Sequence, residues 1–429
     1  MPKKINIAII GLGQIGNYLL NELNKNKREI LIKTGKQINI VAISARNINK
    51  KRKFKINKKI FFKKPLDIIN KKKIDILIEA IGQSDGVSKK IIEAALKKKI
   101  HVVTPNKALI SKHGNYLSKL AEKNKVNLEF EASVGGGIPI LRTIKEGLAT
   151  NKIDKVYGIL NGTCNYILSE MEITKDSFIN VLKKAQNLGY AEPVNPKLDL
   201  NGYDALAKVR ILSSLAFNKK ISKSPCLMEG IENIETKDIN IADQLNLRIK
   251  LLGITELINN KLFERVHPCL VKKNSYIANV NGVMNAVILN GKPVGESVLQ
   301  GEGAGPGPTS SALMSDILSI LRGNIKYPFG IPDIKRKNVK VYNINKYLNS
   351  LYLRFEVKDK PGVLSQITQK LAQNRISVER LIQIPDHKKK TASIVIITHK
   401  SNELDAQNCL KSFKSNKNIL KNPTLIRLL

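Results

Sequence analysis

Asp204 and Lys208 stand four residues apart in YDALAKVRILSSLAF (residues 203–217), a run whose only other charge is Arg210. That spacing puts both side chains on one face of a helix. The commonest use of such a pair is a solvated surface ion pair. Here Ala205, Leu206, Ala207, Val209, Ile211 and Leu212 leave the helix little solvent face. A lysine whose pKa is lowered by burial or by a neighbouring cation can give and take a proton. Lys107, in TPNK, follows the fifth strand candidate at its carboxyl end, where open α/β sheets bind ligands. A lone lysine there is usually a surface residue, and Glu192, in the turn GYAEP, reads by itself as a solvated loop carboxylate.

A second group of residues points to a dinucleotide. Gly11, Gly13 and Gly16, with Leu12, Gln14 and Ile15 between them, form G-x-G-x-x-G directly after an apolar strand and before a helical run. The glycines permit a tight turn and close approach to a pyrophosphate, which the free amides of the helix N-terminus then stabilise. An acid at the end of the second strand would bond a ribose 2′-hydroxyl, as NAD requires. No Asp or Glu occurs between Glu29 and Asp67; Arg46 closes ISAR, followed by Lys50, Lys51, Arg52 and Lys53. NADP(H) is therefore expected in preference to NAD(H).

These residues need a scaffold to converge. Residues 5–10, 38–44, 74–81, 100–105 and 126–133 are short apolar strand candidates alternating with helical segments such as GVSKKIIEAALKKK. That alternation predicts a parallel sheet covered on both faces. Past SVGGGIPI the pattern changes to strands of a mixed sheet with helices near 165–188 and 203–217. From residue 349 the order is βαββαβ, a ferredoxin-like arrangement. The expected organisation is α/β: a Rossmann-type NAD(P)-binding domain over 1–135, completed by about 301–322; a mixed α+β catalytic and dimerisation domain over 136–300; a linker over 323–348; and a regulatory module over 349–429.

The 429 residues carry a net charge of +38, spread along a chain rich in Lys, Asn and Ile. A concentrated basic patch would suggest a nucleic acid; a diffuse one reads as a solvated surface, although NKKRKFKINKKIFFKK (49–64), with Phe54, Phe61 and Phe62, imitates a stacking platform. Neither nucleic acid nor membrane is expected as a partner. Asn6 interrupts the leading apolar run, so no signal peptide is read, and four dispersed cysteines without CxxC spacing suit a reducing cytoplasm.

Taken together, GLGQIG, VTPNKALI (103–110), FEASVGGGIPI (130–140), ILNGTCNYILSEM (159–171), LGYAEPVNPKLDLNGYDALAK (188–208) and GEGAGPGPTSSALMSDI (301–317) resemble homoserine dehydrogenases nearly end to end. The tail DKPGVLSQI (359–367) resembles the amino-acid-binding ACT module of bacterial members. The resemblance implies reversible NAD(P)-dependent interconversion of L-homoserine and L-aspartate 4-semialdehyde, in the pathway to threonine, methionine and isoleucine. It makes Lys208 the proton donor and acceptor, and gives Asp204 and Glu192 to the substrate. Lys107 is placed between nicotinamide and substrate, with Gly189, Gly303 and Gly305 close to the cofactor. It also implies a monovalent cation, typically Na⁺, at Glu131, Val134, Gly136 and Ile138, and a homodimer or homotetramer.

Cys164 stands where the family often has threonine, and a thioester-forming semialdehyde dehydrogenase would need such a thiol. No neighbouring His motif supports that alternative. In the tail, Gly362 opens a helix whose N-terminus suits an amino-acid carboxylate, with threonine the expected effector. A dimerisation module without a ligand remains the other reading.

Overall fold

The computed structural model describes residues 2–193 and 196–429; the Val194–Asn195 part of the LGYAEPVNPK stretch lies outside them. Runs rich in isoleucine and valine build the first sheet from β1 (Lys3–Ile10), β2 (Lys36–Ser44), β3 (Phe61–Phe62), β4 (Ile76–Glu79), β5 (His101–Val103) and β6 (Leu128–Glu129). All its pairings are parallel, in the order β3-β2-β1-β4-β5-β6. The winding direction reverses between β1 and β4, and the crevice outside their carboxyl ends is where such sheets take ligands. Phe61 and Phe62, from the basic run, are the half-buried edge strand itself.

Two glycines fix the turn after β1. Gly11 has φ +98°, and a Cβ on it would lie 2.4 Å from the Ala80 carbonyl oxygen. A Cβ on Gly16 would lie 1.9 Å from the Gly11 carbonyl oxygen, so the following helix, Gln14–Lys25, can approach only as glycine. Helix Pro306–Leu321 returns from far along the chain to pack on it, joining Leu313 and Ile317 to Leu19 and Leu23 in one core.

The second module contributes β7 (Lys152–Ile159), β8 (Leu227–Met228), β9 (Leu247–Ile258), β10 (Lys261–Lys272), β11 (Met284–Lys292) and β12 (Gly295–Glu302). The tail contributes β14 (Leu351–Lys358), β15 (Val378–Asp386), β16 (Thr391–Thr398) and β18 (Thr424–Leu428), while β13 (Leu348–Asn349) and β17 (Ser401–Asn402) pair apart from them. The two sets form one ten-stranded sheet, β12-β11-β7-β9-β10-β18-β14-β16-β15, with β8 beside β10. The joining strand is β18, parallel to β10 through Cys269↔Arg427 and antiparallel to β14 through Leu351↔Arg427.

Buried arginines lock this seam. Arg354 of β14 pairs with Asp238 on helix Thr236–Gln244, Nε to Oδ1 at 2.6 Å and Nη2 to Oδ2 at 2.9 Å. Arg427 is bonded to Glu229 of the second module (2.7 Å) and Glu403 of the tail (2.6 Å). Residues 323–348, expected as a linker, are likewise tied down. Arg336 is buried, stacks 3.9 Å over Phe329 and donates to Ser214 Oγ at 2.6 Å. Among the described residues no helix is long and apolar enough to cross a membrane.

Candidate active site

A cleft of about 710 Å³ opens between the carboxyl edge of the first sheet and the second module. Three elements aim charged groups into it. Lys107 opens helix Lys107–Lys123 directly after β5, and Asn106 caps that helix by accepting from the Leu109 amide at 3.1 Å. Asn106 is held from below by Glu79, a fully buried acid at the end of β4 that also accepts from Ser88 and Thr104 hydroxyls at 2.9 and 2.7 Å. Helix Tyr203–Ala216 supplies Asp204 and Lys208, and the short helix Lys197–Leu200 supplies Asp199. Between these helices Gly202 takes φ +86°, the left-handed turn that brings Asp199 round to Asp204.

Asp204 bridges both lysines: Oδ1 lies 2.8 Å from Lys107 Nζ and Oδ2 2.7 Å from Lys208 Nζ. Lys208 Nζ also donates to the Leu160 carbonyl at 2.6 Å. Asn161 Nδ2 donates to Asp199 Oδ1 at 2.9 Å and to Asp204 Oδ2 at 3.2 Å.

The two lysines share one carboxylate but differ in proton affinity. Lys208, with a side chain only 8 % exposed, is pushed below the ordinary lysine range by burial, assisted by the charge of Lys107 and opposed by Asp204. Lys107 has a side chain 42 % exposed; burial opposes its charge too, but Asp204 outweighs that and raises its pKa. Burial works against ionising Asp204, yet the two lysines hold its pKa below the usual range. Asp199 is pushed up by burial and by the charge of Asp204. Lys208 is thus the cation of the cleft most ready to release its proton.

The structure brings together Lys208, Lys107, Asp204, Ile15, Gly136, Gly189, Gly303 and Gly305 on the cleft wall. Gly11, Leu12, Gly13, Gln14 and Gly16 form the turn behind Ile15, with open space beside Gly13. Gly303 packs against Asn285, where a Cβ would fall 2.1 Å from its side chain, and Gly136 packs on Gly303. Glu192 does not reach the wall: it is exposed, two residues beyond the lining residue Tyr190, and its carbonyl accepts from Gln186 at 3.1 Å. Arg46 is exposed, two residues past β2. Arg52 is the side chain that touches the glycine turn, donating to the Leu12 carbonyl at 3.1 Å and to Ile48 and Lys50 carbonyls at 2.9 Å.

Glu131, Val134, Gly136 and Ile138 lie on the loop from β6 to helix Ile140–Arg142. The Glu131 carboxylate accepts from the amides of Leu141 and Arg142, each at 2.8 Å, and so caps that helix. A cation on this loop would rest on main-chain oxygens, and the described residues hold no cluster of three or more His, Cys, Asp or Glu able to bind a metal. Cys164 is buried, its thiol 3.4 Å from the Asp199 carbonyl, and burial followed by Asp199 and Asp204 pushes its pKa well up. That is the opposite of an activated nucleophile.

Asp199, Asn161 and Glu79 were not singled out from the sequence. Asp199 lies in the quoted KLDLNGYD stretch, and Glu79 is the lone acid ending an apolar strand, a signal for a buried carboxylate with a fixed task.

Comparison with known proteins follows the same division. A family model described as "Homoserine dehydrogenase, NAD binding domain" matches residues 11–131, one described as "Homoserine dehydrogenase" matches 139–318, and one described as "ACT domain" matches 351–417. A homoserine dehydrogenase of Neisseria gonorrhoeae is 39 % identical over 99 % of both chains. One of Helicobacter pylori is 38 % identical over 100 % of both. The crystal structure of a homoserine dehydrogenase from Thiobacillus denitrificans superposes with TM-score 0.90 at 34 % identity, covering 100 % of this chain and 98 % of that one.

Proposed function

The chain belongs to the homoserine dehydrogenase family, whose reaction interconverts L-aspartate 4-semialdehyde and L-homoserine with NAD(P), and from that premise we propose how its own residues divide the work. The nicotinamide, when bound, gives or takes the hydride. The protein must then supply a proton at the carbonyl oxygen and hold an amino acid in register with the ring.

Lys208 is the proton donor and acceptor. Its ammonium has three N–H bonds, and two are spent on Leu160 and Asp204. The third is left for the substrate oxygen. As the neutral amine it keeps both anchors and turns a lone pair to the homoserine hydroxyl. Lys107 stays cationic beside it, touching cofactor and substrate and depressing the pKa of Lys208. Asp204 steadies both lysines, and its place in the substrate site follows from that bridge. Asp199 gives the substrate ammonium its counter-charge inside the cleft, with Glu192 the second acid for that role. The observation that carries this reading is the single carboxylate bridging one raised and one depressed lysine.

The reading predicts opposite pH limbs. Reduction needs Lys208 protonated, so kcat/KM for the semialdehyde falls as pH rises through the depressed pKa, below the ordinary 10.5. Homoserine oxidation needs it neutral and rises over the same window. Following nicotinamide absorbance in both directions across pH tests this, and limbs at or above 10.5 count against Lys208.

NADP(H) is favoured by the strand-end cations, with Arg46 facing the 2′-phosphate and Arg52 fixing the loop that presents it. Arg46→Ala should lower the NADPH-to-NADH ratio of kcat/KM about tenfold, as loss of one charge-assisted bond implies. An unchanged ratio would move the preference elsewhere. A sodium-type ion would be held by carbonyls of Glu131, Val134, Gly136 and Ile138, hard oxygen donors beside the domain junction. An amino-acid effector, threonine by pathway logic, would meet the helix opened by Gly362 at φ +86°.

A further inference from the structure

Asn161 lies at the point where β7 runs into helix Gly162–Thr174, only 5 % exposed, and every polar atom of its side chain is used. Its Oδ1 accepts from the Cys164 amide at 2.8 Å, the N-cap bond of that helix. Its Nδ2 carries two hydrogens, one for Asp199 Oδ1 and one for Asp204 Oδ2. The amide cannot be flipped, because an oxygen in place of Nδ2 would face two acceptor-only carboxylates and a nitrogen would face the Cys164 N–H. One residue earlier, the Leu160 carbonyl accepts a hydrogen bond from Lys208 Nζ.

Two carboxylates and a lysine are therefore registered against two consecutive residues of one strand end. We propose that Asn161 is the positioning residue of this site. Its amide holds Asp199 and Asp204 side by side, turning the free oxygen of Asp199 toward the substrate's ammonium and the Oδ2 edge of Asp204 toward Lys208. The inference rests on the dehydrogenase reading of the cleft. It adds a task for which amide chemistry is required: both acids need a donor, the helix needs an acceptor, and no charge can be added between two anions.

Asn161 also acts on the charge balance. Asp199 is raised by burial and by Asp204, and the Asn161 bond works against that rise. Lys145, Glu129, Glu131 and Asp316 belong to a separate buried cluster. The titratable groups facing Asn161 are Asp199 and Asp204 directly, with Lys208, Lys107 and Cys164 as their next neighbours.

The test uses two substitutions that keep the helix cap. Aspartate and serine both cap as well as asparagine, so Asn161→Asp and Asn161→Ser should fold, while neither offers the double donor. Matched urea curves for the two variants and the parent establish that first. In Asn161→Ser the acid limb of kcat/KM for aspartate semialdehyde should move to higher pH as Asp199 loses its donor, with KM rising about tenfold or more. In Asn161→Asp a third carboxylate should raise both limbs, because added negative charge also favours the Lys208 ammonium, and kcat/KM should fall about 10²-fold.

A purely structural cap makes another prediction: with the cap retained, Asn161→Ser keeps the parent's limbs and KM, which overturns the proposal. If the parent enzyme itself shows no homoserine-dependent nicotinamide chemistry, the reading of the cleft fails rather than the role of Asn161. In that case Asn161→Ser must still raise the Asp199 pKa, read by carboxyl ¹³C NMR, and an unmoved Asp199 overturns the proposal.

Discussion

Lys208→Ala lowers turnover by about 10²–10⁴-fold, the range lost with a general acid or base, while dinucleotide binding followed by fluorescence stays within a few-fold of the parent. The loss comes from two places. The proton for the substrate oxygen has no carrier, and Asp204 keeps Lys107 and Asn161 as its side-chain partners among the described residues. Alanine alone does not separate them, since it also leaves the Leu160 carbonyl buried without its donor. Lys208→Arg does separate them. A guanidinium restores charge and donors but does not release a proton at any working pH. Turnover should therefore stay low in both directions with Lys208→Arg, although its urea midpoint returns toward the parent. Recovery of more than about a tenth of parental activity by arginine would assign Lys208 an electrostatic role and remove it as the shuttle.

The second large effect is on stability. Asp238 is completely buried and its charge is answered by Arg354 through two bonds, with Tyr352 donating a third at 2.8 Å. Arg354→Met leaves that carboxylate without its counter-ion, which costs about 3–5 kcal/mol. Removing both partners, as Arg354→Met with Asp238→Leu, recovers part of the loss, because no buried charge is then left alone, although the Tyr352 hydroxyl and the Glu235 amide lose their acceptor. Urea unfolding of the three variants measures the cycle. Equal loss in the single and double variants would mean that shape, not charge, is what the seam needs.

How far the sequence carried depends on where the information sits. Buried parallel strands are continuous apolar runs, so the first sheet and its glycine turn were legible in residues 5–16. β9, LRIKLLGITELI, was not recognised because Arg248 and Lys250 break its apolar pattern; both charges are answered only in the fold, Lys250 by the Val280 carbonyl at 2.6 Å. Lys208 and Asp204 were legible as a helical pair, and Lys107 as a strand-end residue. Asp199 was not, since five residues do not define a helical face and its approach to Asp204 depends on Gly202 leaving the helical region. Asn161 gave no signal at all: one asparagine after a strand reads as an N-cap, and its second task exists only once three elements meet. Glu192 reads by itself as a solvated loop carboxylate and takes its substrate role only from the family resemblance; in the fold the residue is exposed while Gly189 and Tyr190 beside it line the cleft.

The position of β18 has a consequence for how the protein is made. β10 is finished long before β18 leaves the ribosome, because helix Pro306–Leu321 and nearly all of the tail module come between them in the chain. Through that interval β8 covers the β18-facing side of β10 only at Arg265 and Val266, and the Cys269–Leu270 stretch that will pair with β18 is an open sheet edge on a nascent protein, the kind of surface that recruits strands from other chains. The catalytic half therefore cannot reach its final sheet during its own synthesis. Aggregation should track shortage of the last strand, and a free peptide spanning residues 424–429 should suppress it in a nascent or truncated chain by closing the edge in trans.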